Sequence, residues 1–184
     1  MINTLYQTFY TLFNICRLRG SPANLPFSYI MLAILILIEL GLNLYTFSQI
    51  KDVTWGENIL ASSLSVTLLV GLIFLLLSQR KVQDRLPKVL IAWFGSELVL
   101  TIILKLILII TPTVLQEARY VQAFLQIGFF TWNIVIKAYI FKSATGMKMP
   151  SALLMTFGIL ILSTMPIQFV LGDYLMQNMP QQDS

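Results

Sequence analysis

The chain has 184 residues, of which 57% are hydrophobic and only 11% charged, against roughly 45–50% and about 25% in an average soluble domain. That excess is more than one soluble core can hide, and the length suits one domain, so the expected fold class is all-α, a polytopic membrane helix bundle. The formal charge of +4 sits in clusters beside apolar runs rather than on a broad basic surface interleaved with aromatics, which excludes nucleic acid as an expected partner.

Residues 1–27 come first. Leu5, Phe9, Leu12, Phe13 and Cys16 recur at helical spacing, with Asn3, Thr4, Gln7, Thr8, Thr11 and Asn14 around much of the other side. Arg17 and Arg19 follow, so the spacing predicts an amphipathic helix lying along the membrane surface. No basic n-region precedes the apolar residues, and the segment does not read as a cleaved signal peptide. Cys16 reads as a small apolar filler, with acylation beside the membrane as the alternative. In Gly20-Ser21-Pro22-Ala23-Asn24-Leu25-Pro26, two prolines and a glycine end the helix and re-aim the chain.

Residues 28–171 carry five apolar runs, expected at 28–48, 57–78, 88–111, 120–141 and 151–171. Each is long enough to cross a hydrocarbon layer of about 30 Å at a rise of about 1.5 Å per residue. The loop near Lys51, Asp52 and Glu57 has more acid than base, that near Glu117 and Arg119 is balanced, and the tail at 172–184 holds Asp173 and Asp183 with no Lys or Arg. Arg80, Lys81, Arg85 and Lys88 crowd another loop, and Lys142 and Lys148 flank the last turn. By the positive-inside rule the amino terminus is cytoplasmic and the carboxyl terminus lies across the membrane. Anionic lipid should be attracted to the basic segments.

Within the second run, Ser63, Thr67 and Gly71 fall four apart and form a narrow small-residue face for helix packing, either within one chain or between two. Four ionisable residues interrupt the spans: Glu39, Glu97, Lys105 and Lys137. A central charge costs roughly 2.5–3.5 kcal/mol on insertion scales, so each must face the bundle interior or reach an interface. Glu39 is expected near mid-membrane, beyond the reach of a short side chain. Glu97 is expected about 13 Å and Lys137 about 6 Å from the cytoplasmic end, and Lys105 can snorkel outward.

Polar companions extend these positions into stripes. Glu39, Asn43 and Thr46 share one face, Glu97, Thr101 and Lys105 a second, and Gln122, Gln126, Asn133 and Lys137 a third. The expectation is an intramembrane polar seam between the first, third and fourth spans, built around Glu39, Asn43, Glu97, Thr101, Asn133 and Lys137. It can serve as a hydrogen-bonded register lock with a Glu–Lys pair, or as a proton or solute path.

Much familiar chemistry is missing. Without histidine there is no Ser–His protease and no HExxH zinc site, and one cysteine forbids an intrachain disulfide. Gly172-Asp173 lacks a second spanning Asp to make an aspartyl dyad. No metal and no cofactor are expected. Pro166 should kink the last span, and Trp55, Trp93, Tyr120 and Tyr139 should be interfacial anchors.

The amphipathic start, the stretch Arg17-Leu18-Arg19-Gly20-Ser21-Pro22-Ala23-Asn24-Leu25-Pro26-Phe27-Ser28 and five close-set spans together resemble the Yip family, and the short bacterial Yip-like inner-membrane proteins in particular. The resemblance implies five transmembrane helices and a cytosolic amino terminus. Eukaryotic members contact Rab GTPases through a long cytosolic region with an acidic-aromatic motif; that motif is not seen here, so Rab binding is not implied. The expected function is that of a non-enzymatic scaffold or accessory subunit associating through its helices with other membrane proteins or with itself. The alternative is a small proton-coupled transporter or exporter using Glu39.

Overall fold

A computed structural model describes residues 2–49, 53–110 and 117–177. Lys51, Asp52, Asp183 and residues 178–184 of the tail fall outside it, as do the side chains of Leu5, Glu117, Arg119, Tyr120 and Asp173. Six helices follow in order: α1 Ile2–Cys16, α2 Tyr29–Phe47, α3 Trp55–Gln79, α4 Leu86–Ile110, α5 Glu117–Thr145 and α6 Met149–Gln177. Five of them, α2 to α6, are long and apolar enough to cross a membrane. The protein is an integral polytopic helical membrane protein, and no strand occurs among the described residues.

Local chemistry sets the boundaries. Ser28 caps α2 by accepting from the Met31 amide at 3.3 Å. Thr54 and Glu57 cap α3 reciprocally, so this acid does more than mark a loop. α1 and α3 both end in a left-handed residue, Leu18 at φ 58° and Lys81 at φ 57°. Arg19 and Val82 then donate back to the Asn14 and Leu77 carbonyls at 2.9 Å, closing each helix with a Schellman motif. Gly146, at φ 72°, takes the left-handed position after α5.

The spans form a ring in the order α2, α3, α6, α5, α4 and back to α2, with the α3–α6 interface the largest. Where α3 meets α6, the Ser65 hydroxyl donates to the Ser163 carbonyl at 2.7 Å. That carbonyl lies three residues before Pro166, which interrupts the ladder of α6 without ending the helix. Asn58, almost fully buried, donates to the Leu44 carbonyl at 2.9 Å and so ties the start of α3 to the end of α2.

Two hydrogen bonds gather the basic segments at one end of the ring. Lys88 donates to the Ala23 carbonyl and Arg85 to the Ala144 carbonyl, each at 2.8 Å. The turn after α1, the α3–α4 loop and the end of α5 therefore meet. The tightest packing is in this basic half, where the whole run from Val89 to Phe94 is buried against Ile136, Ile140 and Phe141 of α5. Towards the other end Ile102, Ile109, Phe124 and Ile127 are exposed.

α1 is the short amphipathic helix expected ahead of the five spans. It packs on α4 and α5, and its stripe splits: Leu12 and Cys16 are buried with Thr8 and Ile15, whereas Phe9 and Phe13 are exposed beside Tyr6 and Tyr10. The reason is Gly95 on α4, where an added Cβ would come within 2.7 Å of Leu12 Cδ1. Lacking a side chain, Gly95 lets α1 settle directly on α4. Trp132 of α5 reinforces the contact by donating to the Cys16 carbonyl at 3.1 Å.

Candidate functional site

Glu97 of α4 and Lys137 of α5 each stand well inside their helix. Glu97 is about 16 Å beyond the start of α4, and Lys137 about 12 Å before the end of α5, at about 1.5 Å per residue. α5 continues to Thr145, four residues beyond the expected end of this span. At this depth the ammonium does not reach an interface and turns inward instead: Lys137 is 3% exposed, and its Nζ lies 2.6 Å from Glu97 Oε2. This is the one ion pair among the described residues.

Trp93 completes the ammonium's surroundings. Its ring centroid is 4.5 Å from Lys137 Nζ, and its other ring neighbour is Phe141 at 5.3 Å. Trp93 is fully buried, so it is no interfacial anchor, contrary to expectation; Trp55, by contrast, is largely exposed. A desolvated cation–π contact of this kind is worth about 2 kcal/mol. The signal was present in the sequence, since Trp93 precedes Glu97 by four residues and shares its helical face.

α2 supplies the third charge. Glu39, half-buried, accepts from Asn43 Nδ2 at 3.3 Å one turn along its own helix, and it lies within Coulombic range of both Glu97 and Lys137. α4 stands between α5, which brings Lys137 to Glu97, and α2, which holds Glu39. If all three groups are ionised the cluster carries one net negative charge. Thr101 and Asn133 lie one turn from the ion pair, and Asn133 Oδ1 is buried without a hydrogen-bond partner.

Several other stripe members stand apart from the cluster. Thr46 donates to the Leu42 carbonyl of its own helix at 2.8 Å, and Gln126 is exposed. Lys105 is also exposed and stacks over the Tyr45 ring at 5.8 Å, which links the far ends of α4 and α2.

No protein-family model, curated protein or solved structure matches the chain. The assignment of roles therefore rests on geometry and chemistry. Among the described residues no group of three or more His, Cys, Asp or Glu is placed to hold a metal ion.

The small-residue face lies elsewhere on the ring. Ser63 and Thr67 are exposed, Gly71 is half-buried, and an added Cβ at Gly71 would meet nothing within 4 Å. The face of α3 that packs inward is the neighbouring one, with Asn58, Ala61 and Ser62 buried. Thr67 and Gly71 instead line an outward-facing groove of about 430 Å³ whose far wall is Pro166 of α6.

Proposed function

We propose that the protein is a non-enzymatic scaffold or accessory subunit that associates laterally with other membrane helices. In this reading it is a Yip-like protein of a bacterial inner membrane, with its amino terminus in the cytoplasm. The observation that carries the association is the outward position of Ser63, Thr67 and Gly71 beside the Pro166 groove. Lipid tails are as apolar as leucine, so membrane helices associate through close packing at small residues and through polar contacts. A small-residue face left unused inside the monomer, next to a groove of side-chain size, offers both close approach and a hydroxyl donor.

The charged cluster fits this role as a register lock. Ion-paired groups in the half of the ring with the tightest packing hold α4 and α5 in one alignment, and a fixed outer face follows from fixed helices.

Gly71→Leu tests the association. Because nothing lies within 4 Å of an added Cβ, the larger side chain leaves the monomer folded and obstructs only an outside partner. The apparent size of complexes solubilised in mild detergent should fall with Gly71→Leu. An unchanged size together with an unchanged melting temperature would sink the proposal.

A second reading is favoured by one observation, a half-buried carboxylate, Glu39, well inside α2 and outside the Glu97–Lys137 ion pair. In a proton-coupled transporter, Glu39 would take up and release the proton while Lys137 held Glu97. Flux into liposomes under a pH gradient separates the two readings.

A further inference from the structure

We propose that the basic end of the ring holds a site for a phosphate-bearing group, in the cavity between the turn after α1, the start of α4 and the end of α5. The cavity measures about 240 Å³ and is lined by Pro22 and Ala23 on one side, Arg85 and Lys88 on a second, and Ser143 and Ala144 on a third. This site is separate from the charged cluster within the spans and does not depend on the scaffold reading.

Three features fit the chemistry. Each cation is held in place by a single hydrogen bond to an opposite wall, Lys88 to the Ala23 carbonyl and Arg85 to the Ala144 carbonyl. A guanidinium has five N–H donors and an ammonium three, so most donors on both groups stay free for a ligand. Secondly, the Ser143 hydroxyl lines the same cavity and makes no hydrogen bond among the described residues. Thirdly, Asp84 is the only acid in the lining, so the site has a net charge of +1 from two cations and one carboxylate. Asp84 is not ion-paired with either cation. An anion with several acceptor oxygens satisfies these donors, and a zwitterionic or neutral group satisfies fewer.

A phosphate can come from the headgroup of an anionic lipid or from a soluble phosphate ester. Basic pockets between membrane helices at a membrane surface bind anionic headgroups, and the cavity stands at the end of the bundle where the spans begin and end. Both sources share one recognition chemistry, and the experiment separates them.

The test uses the full chain in neutral detergent, titrated with dioctanoyl phosphatidic acid, dioctanoyl phosphatidylcholine or glycerol phosphate, with binding read by native mass spectrometry. Phosphatidic acid should bind more tightly than phosphatidylcholine. Lys88→Gln should weaken it about fivefold, the loss expected of about one cation near the membrane surface. Ser143→Leu, which fills the cavity and breaks no hydrogen bond, should weaken it at least as much, whereas Lys148→Gln, outside the cavity, should not. Glycerol phosphate binding with the same sensitivity to the variants would assign the site to a soluble ester, and its failure to bind would assign it to lipid. Phosphatidic acid affinity unchanged by both Lys88→Gln and Ser143→Leu, or lowered equally by Lys148→Gln, would overturn the proposal.

Discussion

Lys137 Nζ and Glu97 Oε2 lie 2.6 Å apart across the α4–α5 interface, with the lysine 3% exposed. A pair so placed derives its value from mutual neutralisation. Removing one partner leaves an uncompensated charge in a low-dielectric setting, which costs about 3–5 kcal/mol, while replacing both with apolar residues is often nearly neutral. Lys137→Met, which leaves two carboxylates without their cation, should therefore lower the melting temperature of the detergent-solubilised protein sharply. Glu97→Gln combined with Lys137→Met should recover most of the loss. Two mild single variants whose effects simply add would show that the pair is not a lock.

Gly95 and Leu12 control the docking of α1. A side chain at Gly95 would displace Leu12, which is itself buried, and overpacking of this kind costs about 1–3 kcal/mol. Gly95→Leu should release α1, and adding Leu12→Ala should restore part of its docking. Cys16 reports the result, because burial pushes its thiol up to about 11. With that value only about one thiol in 10⁴ is ionised at pH 7, so maleimide labelling of the parent chain should be slow and rise about tenfold per pH unit. In Gly95→Leu the thiol returns towards its ordinary value of about 8.5, and labelling at pH 7 should accelerate strongly. Equal rates in the two proteins would contradict the docking of α1 on α4.

Glu39 separates the two functional readings. In the scaffold reading Glu39→Gln keeps the Asn43 contact as an amide hydrogen bond. It leaves the Glu97–Lys137 pair intact, so stability should change by no more than about 1 kcal/mol, the scale of hydrogen bonds between membrane helices. Liposomes containing the parent chain should show no flux driven by a pH gradient. Flux in the parent that disappears in Glu39→Gln would replace the scaffold with a proton-coupled carrier.

Much of the fold was legible in the chain because the membrane imposes a length and a composition on each span. The five apolar runs correspond to α2 through α6, with ends displaced by a few residues. The largest displacements are at the end of α5, which continues to Thr145, and at the end of α6, which continues to Gln177. Charge was a weaker guide to side-chain surroundings. Helical spacing put Glu97 and Lys137 on polar stripes, but it carried no information about which helices are neighbours.

Trp93 and the small-residue face show where that limit lies. Tryptophan near a predicted span end usually marks an interface, yet here the α3–α4 loop is short and α1 covers this level of α4, so Trp93 enters the core. In the serine-rich start of α3, two adjacent faces both have small residues. The Asn58 face turned inward because Asn58 finds the open Leu44 carbonyl at the end of α2, a partner that appears only once α2 and α3 are folded against each other.

The most direct test of lateral association is a photo-crosslinking amino acid placed at Thr67 and activated in intact membranes, with the same probe at Leu154 of α6 as the control. Both positions are exposed on the outer surface, but only Thr67 borders the groove with Gly71 and Pro166. The account predicts a discrete protein adduct from position 67 that Gly71→Leu abolishes, and lipid adducts from position 154. Lipid adducts alone from both positions would contradict it.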